Sequence, residues 1–444
     1  MAIQQLITRR DRTFLDIIRG CALGVLLLTP FYGFWSTWLG SSIGPLWLWK
    51  SLLDIVVALL GLALIAWLVI HRTISRVLVH QPIVLTMITF AALALIVTEV
   101  MPQPTTEMTV GLAFGLRHIC MFCIMFGTSW FLGSGHEWRR KVARVILWVT
   151  VVLVTLGIIQ VTVAPADVLT QFGYGPDTIA PVSIIDDNSA ARRAFATMRG
   201  PNDFGAFMLV PLAVACVSLL SRRQRIVLAL FAAVGLFISG SRSAMIGGIV
   251  VVIMAVLLQH GMQLLRSRRA IGMTLAGVIA AGVMLAGAMT IPTLRLIVFH
   301  SSPTDSHLTE GSTDQHWQRT MIGIENVIHQ PLGCGLGCAG PASFYSDSPS
   351  ISENYYVQIA EEAGVIGLVL WVTMTVLVMK ALYWVSRCDE LARSLYLAGI
   401  GIAVVGFWLH VWGDITLSLV WWGLAGIMLG ETIAKSNKKR YDIT

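Results

Sequence analysis

Arg199, Arg242, Arg319 and Glu353 are the residues of this sequence best suited to chemistry. Arginine forks match phosphate oxygens and keep their charge. One carboxylate beside such a clamp suits a single displacement from a phosphate-activated donor. The arginines steady a diphosphate leaving group, and the carboxylate takes the acceptor's proton. A glycoside hydrolase uses a carboxyl pair, whereas a diphosphate leaves without its own general acid. Metal catalysis is not expected, because the sequence has no His-Glu-x-x-His and no Asp-x-Asp. Asp186-Asp187-Asn188 reads as a solvated stretch, and His300, His307, His316 and His329 lack ligand spacing. Ser241 and Ser243 fit no assignable Ser-His-Asp triad.

The elements that must hold these residues are membrane spans. The chain is 56% hydrophobic and 12% charged, against roughly 25% charged residues in a soluble domain. A span needs about 20 mostly apolar residues. Such stretches fall near 14–38, 51–70, 82–100, 109–132, 142–163, 203–220, 224–240, 243–260, 270–291, 355–384, 394–412 and 415–434. They must be helical, since a helix satisfies its own backbone without water, and the alternation of a membrane barrel is absent. Basic residues cluster on alternate linkers: Arg9-Arg10-Asp11-Arg12, Arg72 and Arg76, Arg139-Arg140-Lys141, Arg222-Arg223-Gln224-Arg225, Arg266 to Arg269, Arg387 and Arg393, and the tail from Lys435. That pattern predicts both termini in the cytoplasm. The net charge of +7 is then a topology signal, and no nucleic-acid partner is expected. No cleavable leader is expected either. The predicted fold is an all-α polytopic membrane protein of about 12 transmembrane helices, with a large outer loop subdomain containing a surface helix. Residues 1–163 carry the first five spans, 164–291 an outer loop and four spans, 292–353 the large loop, and 354–444 the last three spans and the tail.

Several charges break the topology pattern. Arg192, Arg193 and Arg199 lie in the outer loop 164–202, which ends Arg199-Gly-Pro-Asn202-Asp203, a turn before a helix start. Arg242 sits in the outer turn Gly240-Ser241-Arg242-Ser243 between two spans, where a charge is a functional hypothesis by default. Arg117-His118 falls inside a span; Glu99, Glu107 or a ligand phosphate are its expected partners. In the large loop, Trp317, Met321, Ile324 and Ile328 share one face of a helix over 314–330, with Arg319 on the more polar side. This helix is expected on the membrane surface or against the bundle. Pro331-Leu-Gly-Cys-Gly-Leu-Gly should stop it and form a flexible turn, in which Cys334 and Cys338 are either a disulfide or two thiols. Glu353 heads the next span, where a carboxylate also favours the positive helix end.

Taken in order, Arg199-Gly-Pro-Asn202, Gly-Ser241-Arg242-Ser-Ala, Arg319, Pro331-Leu-Gly-Cys-Gly-Leu-Gly and Glu353-Asn354-Tyr-Tyr-Val-Gln-Ile-Ala-Glu-Glu-Ala-Gly-Val-Ile-Gly resemble the O-antigen ligase and polysaccharide polymerase superfamily over residues 190–385. The resemblance implies a metal-independent, cofactor-free, inverting glycosyltransferase of the bacterial inner membrane, with its active site facing the periplasm. Its donor would be a glycan on undecaprenyl diphosphate and its acceptor a glycan or lipid, with polysaccharide export or chain-length proteins as partners. By the same resemblance Arg242 and Arg319 would hold the diphosphate, and Arg199 and Arg117 the diphosphate or the sugar chain. Asn202, Asn354 and Tyr355 would line the substrate. Ligases usually carry a histidine, the presumed base, where this chain has Glu353, which turns the expectation toward a polymerase of repeat units in lipopolysaccharide or exopolysaccharide synthesis. The alternatives are a ligase acting on lipid A core or another acceptor, and a secondary transporter using Arg117-His118; the two related halves common in transporters are not evident.

Overall fold

The computed structural model describes residues 8–73, 81–133, 135–185, 188–266, 312–345 and 349–441. The expected span 270–291, the loop up to residue 311, Asp186-Asp187, His300 and His307 lie outside the described residues. Helix α1 (Arg9–Leu28) passes through a 3-10 turn into α2 (Tyr32–Ser42), the turn placed by Pro30, which cannot donate to the helix ladder. Then come α3 (Leu46–Ile70), α4 (Pro82–Val100), α5 (Thr105–Leu132) and α6 (His136–Thr162). An antiparallel hairpin, β1 (Ser183–Ile185) with β2 (Asn188–Arg193), precedes α7 (Pro201–Phe207), α8 (Leu209–Ala215), α9 (Arg222–Ser239) and α10 (Arg242–Arg266). The chain continues with α11 (Ser312–His329), α12 (Tyr355–Val385), α13 (Glu390–Val405) and α14 (Ile415–Tyr441).

Eight helical stretches among the described residues are long and apolar enough to cross a membrane: Arg9–Ser42, Leu46–Ile70, Pro82–Val100, Thr105–Leu132, Glu137–Thr162, Arg242–Gln259, Tyr355–Val385 and Ile415–Ser436. The protein is a multi-pass, helical membrane protein. Three of the expected spans within the described residues are not among these eight: 224–240, which falls in α9, and two that are not continuous crossings. Residues 203–220 fall in the short run Pro201–Ala215, which at 1.5 Å per residue reaches roughly 22 Å against a hydrocarbon core of about 30 Å. Its residues from Phe204 to Ala215 are all buried in protein. Residues 394–412 fall in α13, which ends at Val405 and gives way to turns up to Asp414. The hairpin adds a little strand to a fold expected to be wholly helical.

The basic linkers described here gather at one end of the bundle. His71 Nε2 lies 3.1 Å from Asp11, Arg19 donates to the Gly133 carbonyl at 2.6 Å, and Arg139 pairs with Asp389 and, at 3.1 Å, with Glu431. These contacts join α1 to the ends of α3 and α5, and the start of α6 to the start of α13 and to α14. Through the middle, α14 lies against α5. Gly426 makes this possible, since a Cβ there would sit 2.6 Å from the Phe122 carbonyl oxygen; small residues let membrane helices approach this closely.

At the other end, α12 is broken at Gly364, whose φ of 73° and ψ of 176° interrupt the helix. The Pro331–Gly337 turn fills the break. Cys334 and Gly335 donate to the freed carbonyls of Glu361 and Glu362 at 2.8 and 2.9 Å, and Val365 donates to Pro331 O at 3.0 Å. Leu336 N donates to Thr98 Oγ1 at 2.8 Å, and its side chain is buried against Gly115 of α5. Gly333, Gly335 and Gly337 take φ values of 90°, 99° and 102°, open to glycine alone at low cost. Cys334 and Cys338 form a disulfide across the turn. The segment expected as a flexible turn is therefore a plug in the bundle, because unsatisfied backbone at membrane depth needs a partner. A Cβ at Gly364 would lie 2.6 Å from Leu332 C. Gly364→Ala should cost more than the roughly 1–2 kcal/mol of a left-handed φ alone and lower the melting point in detergent. Gly175→Ala, which meets open space, should leave it unchanged; parallel melts of the two variants check this.

Candidate functional site

The plugged end carries Glu353, and local structure aims it. Asn354 caps α12: its Oδ1 accepts from Tyr356 N and Val357 N at 3.0 and 3.2 Å, and its Nδ2 donates to Phe407 O at 3.1 Å. Thr320 Oγ1 on α11 donates to Ser352 O at 2.8 Å. Between these anchors Glu353 adopts a φ of 56°, a left-handed conformation that costs a non-glycine residue about 1–3 kcal/mol and concentrates at functional sites. The carboxylate turns toward α11. Its Oε1 lies 2.8 Å from Arg319 Nη1 and its Oε2 lies 3.2 Å from His316 Nδ1. Burial pushes the Glu353 carboxyl up. The contact and charge of His316, with the charges of His410 and Arg319, outweigh it, and the group titrates below the ordinary glutamate value.

Behind Glu353 runs a line of polar groups. His410, in the turns after α13, has Nδ1 2.6 Å from Gln358 Oε1; Gln358 Nε2 donates to Glu362 Oε1 at 3.3 Å, and Gly337 N donates to the same oxygen at 3.0 Å. Because the Gln358 amide nitrogen is used on Glu362, its oxygen faces His410, so Nδ1 carries the proton. Burial pushes the His410 imidazole down to about 4, with Glu353 opposing the shift; at neutral pH the ring is uncharged.

Arg242 begins α10, directly after the left-handed Gly240 that ends α9. Helix α10 runs antiparallel to α13, with Gly247 against Gly401 and Val405. The end of α13 in turn holds the start of α12, where Tyr355 N donates to Gly406 O at 2.9 Å. Arg242 and Glu353 therefore stand at the same end of the bundle. Asn202, at the start of α7, accepts from Arg193 Nη2 at 2.7 Å, and Arg193 Nε donates to Ser239 O at 2.9 Å. Asn202 thus ties its helix to the turn that precedes Arg242.

Arg199 enters on a buried, non-helical segment. Phe195 N and Ala196 N donate to Gln160 Oε1, and Thr197 Oγ1 donates to Pro30 O. Arg199 itself is exposed. Its charge is felt by Tyr32, Asp203, Asp414 and Tyr345. Arg117 lies 3.5 Å from Asp54 Oδ1, not against Glu99 or Glu107; Asp54 is eight residues into α3, and only the packing of α3 on α5 reveals the pair. The guanidinium carbons of Arg117 and Arg199 sit 4.2 and 5.8 Å from the centre of one ring, Phe114, within cation–π reach. Tyr355 is buried, its ring against Trp371 at 5.1 Å.

The expected site residues thus divide. Arg242, Arg319 and Glu353 stand at one end of the bundle; Arg199 is exposed; Arg117 is enclosed in an ion pair. Asn202, Asn354 and Tyr355 are taken up in holding the helices. Sequence reasoning noted Arg193 only as a charge off the topology pattern and His316 only as lacking ligand spacing, and it passed over His410. His316 stands three residues before Arg319, a spacing that puts both on one helical face. His410 lies in a segment read as a span and left no signal.

No curated protein matches the chain. A family model described as O-Antigen ligase matches residues 227–372, and over this segment, which holds Arg242, Arg319 and Glu353, the protein is similar to the O-antigen ligase and polymerase superfamily.

Proposed function

We propose that the protein is a glycosyltransferase of the bacterial inner membrane that polymerises repeat units of an exported polysaccharide on the periplasmic face. Both termini then lie in the cytoplasm, the side to which basic linkers are drawn. The donor is a glycan on undecaprenyl diphosphate, and the acceptor is a hydroxyl of the next lipid-linked unit. The observation that carries this reading is Glu353, held in a left-handed conformation against Arg319 and His316, at the bundle end where α10 begins with Arg242.

The acceptor oxygen attacks the anomeric carbon from the face opposite the diphosphate, which inverts the configuration. Arg242 and Arg319 neutralise the charge that develops on the leaving diphosphate. Arg319 has one nitrogen on Glu353, yet its side chain is 49% exposed, which leaves the outer part of the fork for phosphate oxygens. The acceptor proton passes to the cluster around Glu353. Arg199, exposed on the segment before α7, contacts the diphosphate or the glycan. A clamp of arginines supplies the positive charge that a divalent ion would otherwise bring, so transfer is metal-independent. The family model's description, O-Antigen ligase, favours a second reading, in which the finished glycan moves to lipid A core.

In a strain lacking the protein, single repeats should accumulate on the carrier lipid. Arg242→Ala and Glu353→Gln should fail to restore long glycan, with transfer reduced about 10²–10³-fold as for other lost transition-state contacts. Sizing of carrier-linked and exported glycan checks this, and long polymer stranded on the carrier would instead establish the ligase. Chelation of divalent ions should leave the transfer rate of purified protein unchanged. Arg199→Ala should reduce glycan yield at normal protein abundance. Arg117→Ala should lower abundance itself, since a buried carboxylate left without its partner costs about 3–5 kcal/mol; immunoblotting of membranes separates the two effects.

A further inference from the structure

Ligases of the similar superfamily are expected to present a histidine where this chain has Glu353. The structure brings an imidazole to that carboxylate from another element. His316 on α11 stands one turn before Arg319, with Nδ1 3.2 Å from Glu353 Oε2. That nitrogen is shielded from water and meets the carboxylate at ion-pair distance, without the alignment of a hydrogen bond, while 34% of the side chain is accessible. The accessible edge therefore carries Nε2. Glu353 itself is a poor base, because Arg319 holds its other oxygen at 2.8 Å and the group titrates below the ordinary glutamate value.

A carboxylate on Nδ1 does two things for an imidazole. It fixes the tautomer that leaves the lone pair on Nε2, and it stabilises the imidazolium once Nε2 takes a proton. We infer that His316 is the general base of the transfer and that Glu353 is its positioning residue. The carboxylate–histidine pair is split between the loop before α12 and the surface helix α11. This rests on the transferase reading of the site and assigns the proton within it. The acceptor oxygen bonds to the anomeric carbon of the donor. The bond from that carbon to the diphosphate oxygen breaks, and its electron pair leaves on the diphosphate between Arg242 and Arg319. The hydroxyl proton goes to His316 Nε2 and then to water.

The groups around His316 suit this role. Glu353 faces it from the loop, Arg319 follows it on its own helix, and His410 acts on both Glu353 and His316 from the turns before α14. His410 Nε2 is buried without a hydrogen-bond partner, and the neutral ring adds no positive charge against the imidazolium.

The test uses full-length protein in detergent, with membranes of a strain lacking it as the source of accumulated lipid-linked glycan, and gel sizing of the product. His316→Ala should lose about 10²–10⁴-fold in rate, the usual contribution of a general base. Added imidazole should restore it several-fold and should not act on the wild type. The double variant His316→Ala with Glu353→His, which places an imidazole at the motif position, should also regain activity. His316→Asn, which keeps a polar contact to Glu353, should be as slow as His316→Ala and serves if the latter fails to fold. A His316 variant within threefold of wild type would overturn the assignment. So would a loss that neither imidazole nor Glu353→His reverses, in protein that elutes as wild type does. Wild-type protein that leaves the accumulated glycan untouched would overturn the transferase reading itself, a separate result.

Discussion

The site depends on the seating of the Pro331–Gly337 turn in the break of α12. A helix interrupted at Gly364 leaves carbonyls and an N–H inside the bundle without their helical partners, and each such group costs several kcal/mol in an apolar setting. The turn supplies those partners through Cys334, Gly335 and Pro331. Because it follows α11 directly, the same hydrogen bonds that complete α12 fix where α11 lies across its head. Arg319 and His316 ride on α11, while Glu353 ends the loop that leads into α12. The meeting of the three is a consequence of backbone satisfaction several residues away.

Around that constraint the molecule stores and offsets strain in a small volume. Glu353 is held in a backbone conformation that it would not choose, and the anchors on either side, Thr320 on Ser352 and the cap of Asn354, hold it there. In return the carboxylate reaches a cation and an imidazole at once. The residues that do this holding are neighbours in sequence of those that present charge. Asn354 and Tyr355 look like substrate contacts when read in a string, and in three dimensions they are the fittings that set the angle of Glu353.

Much of this was legible in the sequence where the cause is local. Apolar length placed most of the crossings, and alternating basic linkers correctly grouped those ends that meet at Arg139 and His71. Periodicity found α11 and its apolar face within two residues. The failures share a cause. Pro201–Ala215 and α13 are apolar enough to pass for spans, but they are short elements buried by protein rather than by lipid, and composition does not distinguish the two. The partner of Arg117 is set by α3 packing on α5, which a linear scan for acidic residues on the same loop side misses. The glycine-rich turn showed its flexibility in the sequence, yet its place in the bundle follows from the break at Gly364, which is a property of a different segment. For the candidate site, the charges were visible one by one; that His316 stands against Glu353 required knowing how a loop folds back.

The apolar face of α11 remains open. Trp317 is 64% exposed and Ile328 71%, on a helix whose opposite side packs on α12 through Gly323 and Asn326. An amphipathic helix of this kind lies in the plane of the headgroups, apolar side inward. In the proposed reaction the donor's diphosphate travels at that same level, tethered by its lipid. Arg319 and His316 then share a depth with the bond to be broken, and the search for substrate becomes a lateral one in two dimensions rather than a capture from solution. Bilayer thickness, by raising or lowering this helix against the fixed bundle, would set how well the two levels coincide.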